Sequence, residues 1–305
     1  MYDVVIIGAG PAGYTAGIYC SRARHNTLLI SGILPGGQLM NTTDVENYPG
    51  FSDGIMGPDL MTVMRKQTEK MGTKIIDDEV TSVDFKTNPL KVKTASEEFE
   101  ARTVIVCTGA NPRKIGLDGE QTFAGKGVSY CATCDGAFFK DQELIVVGGG
   151  DSAMEEATFL TKFASTVHII HRREEFRASK IMQERALANE KIKVHFNCTV
   201  KDIQVDQKFR KVILNNTKTN EDETLDAGGL FVAIGHEPNS KMFQNQLELD
   251  ENGYVIIKNN TETSISGVFC AGDVHDHRYR QAVTAAGFGC MAAIDVDKYL
   301  AESKN

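Results

Sequence analysis

The chain has 305 residues, of which 41% are hydrophobic and 24% are charged, and its formal net charge is −8 at pH 7. This composition is typical of a folded globular protein, and the length predicts two domains that each bury a core. The negative charge disfavours general binding to nucleic acid or anionic membranes, and no apolar run reaches the roughly 18 residues of a membrane span.

The first stretch predicts a nucleotide-binding turn. An apolar strand, Val4–Ile7, leads into Gly8-Ala-Gly-Pro-Ala-Gly13 and then into a helix that we expect to end near Ala23. Glycines at these positions allow a tight turn, approach of a pyrophosphate to the backbone, and packing of the helix on the strand. The next predicted strand ends in Ser31, where a simple ribose-binding fingerprint has Asp or Glu.

The following region predicts a loop, a helix and a small set of strands. Residues 32–57 are rich in Gly, Asn, Thr and Pro, which predicts a long irregular segment that is either functional or a plain surface loop. The spacing predicts a helix over 58–71, and three short antiparallel strands follow before a buried strand that ends at Gly109. Residues 109–127 are the candidate linker between domains.

The segment Cys131-Ala-Thr-Cys134 is a Cys-x-x-Cys pair, which favours thiol exchange over structural cross-linking. The other cysteines are scattered singly, so the second pair of ligands that structural zinc requires is missing and we expect no metal. Because the chain opens directly on a predicted strand without a signal region, we expect a cytoplasmic location. A reducing compartment disfavours a purely structural disulfide.

A second glycine turn follows the dithiol. The apolar strand Leu144–Val147 leads into Gly148-Gly-Gly150, with Ala153 in the place of the third glycine, and this recurrence predicts a second mononucleotide-binding fold. The next predicted strand ends in His171-Arg172-Arg173, with Arg177 nearby. Guanidinium groups at this position favour a 2′-phosphate and hence NADPH over NADH, and the alternative is a solvated basic helix start.

The last part predicts a strand that ends in Asp273 and a helix from Ala282 to about Leu300. A carboxylate at a strand end can accept a hydrogen bond from a sugar hydroxyl, and the helix start can polarise a flavin ring. His275 and His277 are predicted to be exposed loop residues, since no third metal ligand is evident. A flavin couples hydride transfer to disulfide chemistry, so we assign FAD to the first fold and NADPH to the second.

Taken together, the motifs resemble those of the low-molecular-weight bacterial thioredoxin reductases nearly end to end. The residues that carry the resemblance are Gly8–Gly13, Gly36–Gln38, Glu46–Gly50, Cys131–Gly136, Gly148–Gly150, His171–Arg177 and Ala271–Ala282. The resemblance implies a homodimeric flavoenzyme that reduces thioredoxin with NADPH. Cys107 departs from the family, which commonly has Ala there.

The resemblance also implies roles for individual residues. Cys134 would face the flavin, Cys131 would attack the thioredoxin disulfide, and Asp135 would donate and accept the proton. The expected FAD contacts are Gly8, Ala9, Gly10, Pro11, Ala12, Gly13, Ser31, Gly37, Gln38, Asn47, Val80, Asp273, Arg280, Gln281 and Ala282. The expected NADPH contacts are Gly148, Gly149, Gly150, Asp151, Ser152, His171, Arg172, Arg173 and Arg177.

We therefore expect an α/β fold with two Rossmann-like three-layer domains, the second inserted in the first. The FAD-binding domain is predicted to comprise residues 1–112 and 241–305, and the NADPH-binding domain, which carries the dithiol, residues 113–240. Two alternatives have the same fold: a dithiol oxidase, for which the arginines have little use, and a non-enzymatic flavin-bound redox sensor.

Overall fold

The computed structural model describes residues 1–33, 35–206 and 208–303. Two compact units are present: Met1–Asn111 with Glu237–Asn305, and Pro112–His236. The second is inserted in the first along the chain, and both contain parallel sheets covered by helices, so the predicted fold class is confirmed. The irregular segment expected at 32–57 includes Leu34, and the expected C-terminal domain includes residues 304 and 305, which lie outside the described residues.

The helices and strands are as follows. The helices are α1 (Pro11–Arg22), α2 (Gly57–Lys70), α3 (Ala132–Asp135), α4 (Asp151–Leu160), α5 (Lys180–Leu187) and α6 (Ala282–Glu302), with short 3-10 helices at Gly37–Asn41, Gly136–Phe139 and Lys241–Phe243. The strands are β1 (Tyr2–Ile7), β2 (Thr27–Ile30), β3 (Asp44–Val45), β4 (Ile55–Met56), β5 (Lys74–Ile76), β6 (Val80–Asp84), β7 (Leu90–Thr94), β8 (Glu98–Val106), β9 (Ala110–Pro112), β10 (Val128–Ser129), β11 (Glu143–Val147), β12 (Thr166–His171), β13 (Ile192–Phe196), β14 (Cys198–Asp206), β15 (Lys208–Asn216), β16 (Asp222–Asp226), β17 (Gly229–Val232), β18 (His236–Pro238) and β19 (Val268–Cys270).

The first unit is built on a seven-stranded sheet of order β5-β2-β1-β8-β7-β6, with β19 paired to the second half of β8. Strands β1, β2, β5 and β19 run parallel to β8, and β6 and β7 are antiparallel additions. The antiparallel prediction is therefore wrong for β5, which pairs in parallel with β2. Residues Val4–Ile7 are almost completely buried because helices and further chain cover both faces of the sheet. On one face α1 and α6 approach so closely that a Cβ on Gly289 would overlap the Ala12 carbonyl oxygen.

The second unit is built on a parallel sheet of order β10-β17-β11-β12-β13. One core cluster lies between this sheet and α4, and a second lies between the sheet and the antiparallel ribbon β14-β15-β16. The apolar alternation in residues 192–196, 200–203 and 211–214 predicts a small meander, in which neighbouring strands are antiparallel. That assignment is wrong for residues 192–196, because this segment, β13, pairs in parallel with β12. A short alternating strand carries no local signal that selects its partner.

Among the described residues, we find no helix with both the length and the apolar content that crossing a bilayer requires.

Candidate functional site

The turn between β1 and α1 leaves open space beside Gly10. A Cβ on Gly8, whose φ is +108°, would overlap the Cys107 carbonyl oxygen, and a Cβ on Gly13 would overlap the carbonyl oxygen of Gly8. In contrast, no atom lies within 4 Å of the position that a Cβ would take on Gly10. Helix α1 begins at Pro11, directly after this residue, so its N-terminal amides and dipole favour an anion at the open position.

A second glycine segment lies against this turn. The Gly36 amide donates to the Ala9 carbonyl oxygen at 3.0 Å. Gly37 has φ +64°, and a Cβ there would lie 3.7 Å from the Gly10 Cα. The structure thus brings the predicted contacts in residues 36–38 to the turn between β1 and α1, although 27 positions separate Gly37 from Gly10 in the sequence.

Other predicted FAD contacts are held by polar partners within the first unit. The Gln38 side-chain amide donates to the Asn111 Oδ1 atom at 2.7 Å. The Asn47 amide donates to the Gln281 Oε1 atom at 3.4 Å, which joins the irregular segment to the start of α6. Val80 is buried at the start of β6.

Asp273 is a partly buried carboxylate next to the start of α1. A Cβ on the preceding residue, Gly272, would lie 3.0 Å from the Ala12 Cβ. The Asp273 Oδ1 atom is buried without a hydrogen-bond partner among the described atoms. Burial, followed by the charge of Asp276, raises the pKa of Asp273 to about 7. An unpaired carboxylate beside an open glycine turn fits a nucleotide that brings a hydroxyl donor, as FAD does.

The end of β2 carries a polar network that the sequence did not predict. Ser31, which replaces the expected carboxylate, donates to the Asp77 Oδ1 atom at 2.8 Å. Asp77 follows β5, the neighbouring parallel strand, and the Arg65 guanidinium holds both of its oxygens, at 2.7 and 3.0 Å. A carboxylate is therefore present beside Ser31, but it is supplied by a different strand and neutralised by an arginine.

The second glycine turn has the same strand–turn–helix arrangement, but different atoms pack against its glycines. A Cβ on Gly148 would overlap the Ala233 carbonyl oxygen, and a Cβ on Gly149 would overlap the His171 ring. No atom lies within 4 Å of the Cβ position on Gly150, and α4 begins at Asp151. This open position can also hold a pyrophosphate.

The three predicted arginines lie on an irregular segment between β12 and α5, and all three are exposed. Their alternative interpretation as a basic helix start is wrong, because α5 begins only at Lys180. The Arg177 and Ala178 amides donate to the Gly149 carbonyl oxygen at 2.7 and 3.1 Å. Asp151 accepts from the Ser179 amide at 2.7 Å and from its hydroxyl at 3.0 Å. Backbone contacts therefore fasten the arginine segment to the second glycine turn.

His171 faces inward. Its Nε2 atom lies 2.9 Å from the Glu175 carbonyl oxygen, so this nitrogen carries the hydrogen and donates it. The ring contacts Phe176 and Phe196, with ring centroids 5.4 and 6.4 Å away. Burial, together with the neighbouring arginines, lowers the pKa of His171, so the ring is neutral at pH 7. The structure thus gives this predicted phosphate contact a role in shaping the arginine segment.

The predicted dithiol lies in the second unit as a Cys131–Cys134 disulfide. Cys131 directly precedes the short helix α3, and its carbonyl oxygen accepts from the Cys134 amide at 3.2 Å and the Asp135 amide at 3.1 Å. The Thr133 hydroxyl lies 3.3 Å from the Cys131 Sγ atom. Cys134 is exposed and Cys131 half-buried, so the disulfide is accessible for exchange.

Asp135 is placed to hold a proton. Its Oδ2 atom accepts from the Ser129 hydroxyl at 2.6 Å. Burial raises the pKa of Asp135, and the Ser129 hydrogen bond opposes part of that rise. A carboxyl group with a raised pKa takes up a proton more readily than an exposed carboxylate does, which suits it to accept and return a proton during exchange.

The remaining cysteines do not resemble exchange sites. Cys20, Cys107, Cys198 and Cys270 are buried, and Cys290 is partly exposed. Burial raises the pKa of Cys20 to about 12 and also raises the pKa of Cys107, so these thiols stay protonated. No group of three or more His, Cys, Asp or Glu side chains that could hold a metal ion occurs in the described part of the chain.

Comparison with known proteins agrees with this geometry. A family model described as pyridine nucleotide-disulphide oxidoreductase matches residues 2–289. The thioredoxin reductase of Streptomyces clavuligerus is 54% identical over 303 residues, covering 98% of this chain and 94% of that protein. That of Mycolicibacterium smegmatis is 53% identical, covering 99% and 97%. The crystal structure of thioredoxin reductase from Streptococcus pyogenes aligns with a TM-score of 0.95 and 43% identity over 99% of each chain. These matches confirm the resemblance found in the sequence.

Proposed function

Because the chain belongs to the pyridine nucleotide-disulphide oxidoreductase family, we propose that it is an NADPH-dependent flavoenzyme that reduces the disulfide of thioredoxin. The observation that carries the proposal is the accessible Cys131–Cys134 disulfide beside Asp135, a partly buried carboxyl group with a raised pKa. The arginine-flanked glycine turn lies in the same unit. The names of the relatives support thioredoxin as the substrate.

The two units supply different cofactor sites. In the first, the open turn at Gly10 would hold the FAD pyrophosphate, and the unpaired Asp273 carboxylate would accept a hydroxyl group of the flavin nucleotide. In the second, Gly150 would hold the NADPH pyrophosphate, and the exposed arginines would bind its 2′-phosphate. When bound, NADPH and FAD together supply the two electrons that reduce the Cys131–Cys134 disulfide.

The reduced dithiol then transfers its electrons by thiol–disulfide exchange. Cys131 loses its proton to the Asp135 carboxylate and attacks one sulfur of the thioredoxin disulfide, so a mixed disulfide forms and the partner's own bond breaks. The departing thiolate takes the proton from Asp135. Cys134 then attacks the Cys131 sulfur, which restores the intramolecular disulfide and releases the second thiolate, again with a proton carried by Asp135. Two electrons and two protons pass to thioredoxin.

Two properties of the assembly and its location belong to the proposal. The resemblance to bacterial thioredoxin reductases supports a homodimer, which light scattering of the purified protein tests directly. The reactive dithiol requires a reducing compartment, which supports a cytoplasmic location. Cell fractionation tests that part.

The alternatives receive less support from the site. A dithiol oxidase has little use for Arg172, Arg173 and Arg177, and a redox sensor needs no proton carrier for repeated turnover. The test compares the wild-type protein with Cys134→Ser by stopped-flow absorbance. We expect NADPH to bleach the bound flavin in both, whereas thioredoxin turnover is lost in the variant because the exchange cannot be completed.

Cys290→Ser is the matched control, since this thiol is partly exposed but lies on α6 of the first unit. It should retain turnover within about twofold of wild type, because surface substitutions have small effects. Thioredoxin turnover that persists in Cys134→Ser, or a wild-type protein that binds no flavin, would contradict the proposed function.

A further inference from the structure

The Ser129 hydroxyl connects the proton carrier to the attacking cysteine. Ser129 ends β10 and is only 4% exposed. Its Oγ atom lies 2.6 Å from the Asp135 Oδ2 atom, accepts from the Cys131 amide at 3.1 Å, and lies 3.3 Å from the Cys131 carbonyl oxygen. One side chain thus touches both residues through which the exchange proton passes.

We propose that Ser129 is a positioning residue that keeps Asp135 hydrogen-bonded in both of its protonation states, so that the carboxyl group can exchange a proton with the dithiol without moving. The proposal rests on the proposed function, because it assigns a role within that exchange.

The hydrogen-bond capacity of a hydroxyl group accounts for both states. It has one donor and two acceptor sites. When Asp135 is ionised, Ser129 donates its hydrogen to the Oδ2 atom, at a distance typical of a charge-assisted bond. When Asp135 is protonated, the carboxyl hydrogen points to the Ser129 Oγ atom, and the hydroxyl hydrogen turns to the Cys131 carbonyl oxygen. In both states the Cys131 amide keeps its acceptor.

The surroundings make this contact decisive for the ionisation of Asp135. Burial and the Ser129 hydrogen bond are the two causes of its pKa shift, and they act in opposite directions. The thiols that face the exchange are Cys131 and Cys134 of the same short segment. On the preceding segment, the Glu120 carboxylate accepts from the Tyr130 hydroxyl at 3.0 Å and from two backbone amides, and neither Glu120 nor Tyr130 is among the causes of the Asp135 pKa shift. Loss of Ser129 would therefore leave burial unopposed.

The first experiment titrates Asp135 in the oxidised protein without NADPH or thioredoxin. Infrared spectra are recorded across pH, and the carboxyl band is assigned by its loss in Asp135→Asn. In Ser129→Ala we expect the apparent pKa to rise by about one unit, since a hydrogen bond to a charged group favours the ionised form by about that amount. Ser129→Thr keeps the hydroxyl and should restore the wild-type value.

Thr133→Ala is the matched control for this titration. It removes a hydroxyl that lies 3.3 Å from the same cysteine sulfur but belongs to a different side chain. We expect the Asp135 titration to stay unchanged. An unshifted Asp135 in Ser129→Ala, or a Ser129→Thr variant that behaves like Ser129→Ala although both are folded, would overturn the proposal.

The second experiment measures the exchange itself as a function of pH. Because Asp135 must be ionised to accept the Cys131 proton, a higher pKa moves the acidic limb of thioredoxin turnover to higher pH. In Ser129→Ala we expect turnover to fall up to about tenfold on the acidic limb and to recover at alkaline pH. An equal loss at every pH would indicate a merely structural role and overturn the proposal.

Alkylation separates this inference from the proposed function. After reduction with dithiothreitol, the rate at which iodoacetamide modifies Cys131 is measured against pH by mass spectrometry. We expect the curve of modification rate against pH in Ser129→Ala to be displaced by about one pH unit relative to wild type, as in the titration. If this displacement occurs while the wild-type protein fails to reduce thioredoxin, the proposed substrate is wrong and the role of Ser129 stands.

Discussion

The two glycine turns share one backbone plan, but different positions in them are sterically restricted. In the first turn, Gly13 is confined by the Gly8 carbonyl oxygen, whereas the second turn accommodates Ala153 at the matching position. The reverse holds at the second residue after the strand. The first turn has Ala9, while the matching Gly149 lies so close to the His171 ring that a Cβ would overlap it. Packing around each turn, and not the motif alone, decides which glycine is required.

The turns also differ at the end of the following strand. After β2, Ser31 lies in a network in which Arg65 neutralises Asp77. After β12, the chain presents three exposed arginines on a segment fastened to the turn through its backbone. Under the proposed function, the turns would supply similar anion sites, and the strand ends would supply the charge that distinguishes one nucleotide from another.

The largest expected effect comes from a substitution that tests the steric difference between the two turns. Gly13→Ala places a Cβ against a backbone oxygen that cannot rotate away, so we expect the first unit to lose about 3 kcal/mol or more of stability and to retain no flavin. The urea unfolding midpoint and the flavin absorbance of the purified variant measure this. The matched change in the second turn, Ala153→Gly, should cost only about 1 kcal/mol. Equal losses in the two variants would refute the comparison.

The next prediction concerns Asp273, whose pKa is raised to about 7 in the cofactor-free protein. Because the folded state binds this proton more tightly than the unfolded state, the free energy of unfolding falls as pH rises from about 4 to about 7. Asp273→Asn removes that fall, so the cofactor-free variant should be more stable than wild type at pH 8 by about 2–4 kcal/mol. The same variant should bind FAD more weakly, because the asparagine side chain carries no negative charge.

Thermal unfolding of cofactor-free protein between pH 5 and 9 measures the effect. The neighbouring His275, whose burial lowers its pKa to about 4, takes up a proton in the unfolded state below about pH 6.5, and this contribution opposes that of Asp273 equally in wild type and in Asp273→Asn. Asp276→Asn is the contrasting variant, since this carboxylate accepts from the amides of residues 278–280. It should be less stable than wild type. Stabilisation of both variants, or of neither, would show that burial of Asp273 does not cause the fall in the free energy of unfolding with pH.

A smaller effect is expected from substitutions that test the charge difference between the two strand ends. Replacing Arg172 and Arg173 by glutamine should raise the KM for NADPH about 10- to 100-fold and leave the KM for NADH nearly unchanged, because only NADPH carries the 2′-phosphate. Arg185 is an exposed residue on α5 of the same unit, so Arg185→Gln is the charge-matched control. It should leave the KM for NADPH and the KM for NADH as they are. Parallel loss of NADH binding would mean that the arginines act on the turn and not on the phosphate.

The smallest expected effect concerns His171. His171→Phe keeps a ring beside Gly149 but removes the donor to the Glu175 carbonyl oxygen. We expect the Arg177 and Ala178 amides to exchange hydrogen about fivefold faster, consistent with the loss of a hydrogen bond of about 1 kcal/mol. His171→Gln places a donor at a similar reach and should restore much of the protection. Hydrogen-exchange mass spectrometry without NADPH measures this, and equal exchange in the two variants would contradict the role of the ring.

The local sequence was sufficient to predict those parts of the candidate site that lie within a few consecutive residues. The two glycine turns, the Cys131–Cys134 pair and the arginines after β12 each carry their signal in a short run, because the turn, the small disulfide ring and the charge cluster are set by neighbours in the chain. The fold class followed from the recurrence of the glycine turn. The partner of β13 and the conformation of the arginine segment did not follow, because neither is decided by local propensity.

What the sequence determined by itself was therefore the kind of chemistry: a redox-active dithiol in a chain with two nucleotide-binding turns. Only the tertiary structure decided that Asp77 reaches Ser31 from a neighbouring strand, that His171 points inward, and that Ser129 contacts Asp135. Such contacts depend on strand register and on the direction in which a side chain packs. Strand register and packing direction are fixed by burial of the whole core, so they cannot be predicted from the identity of a single serine or histidine.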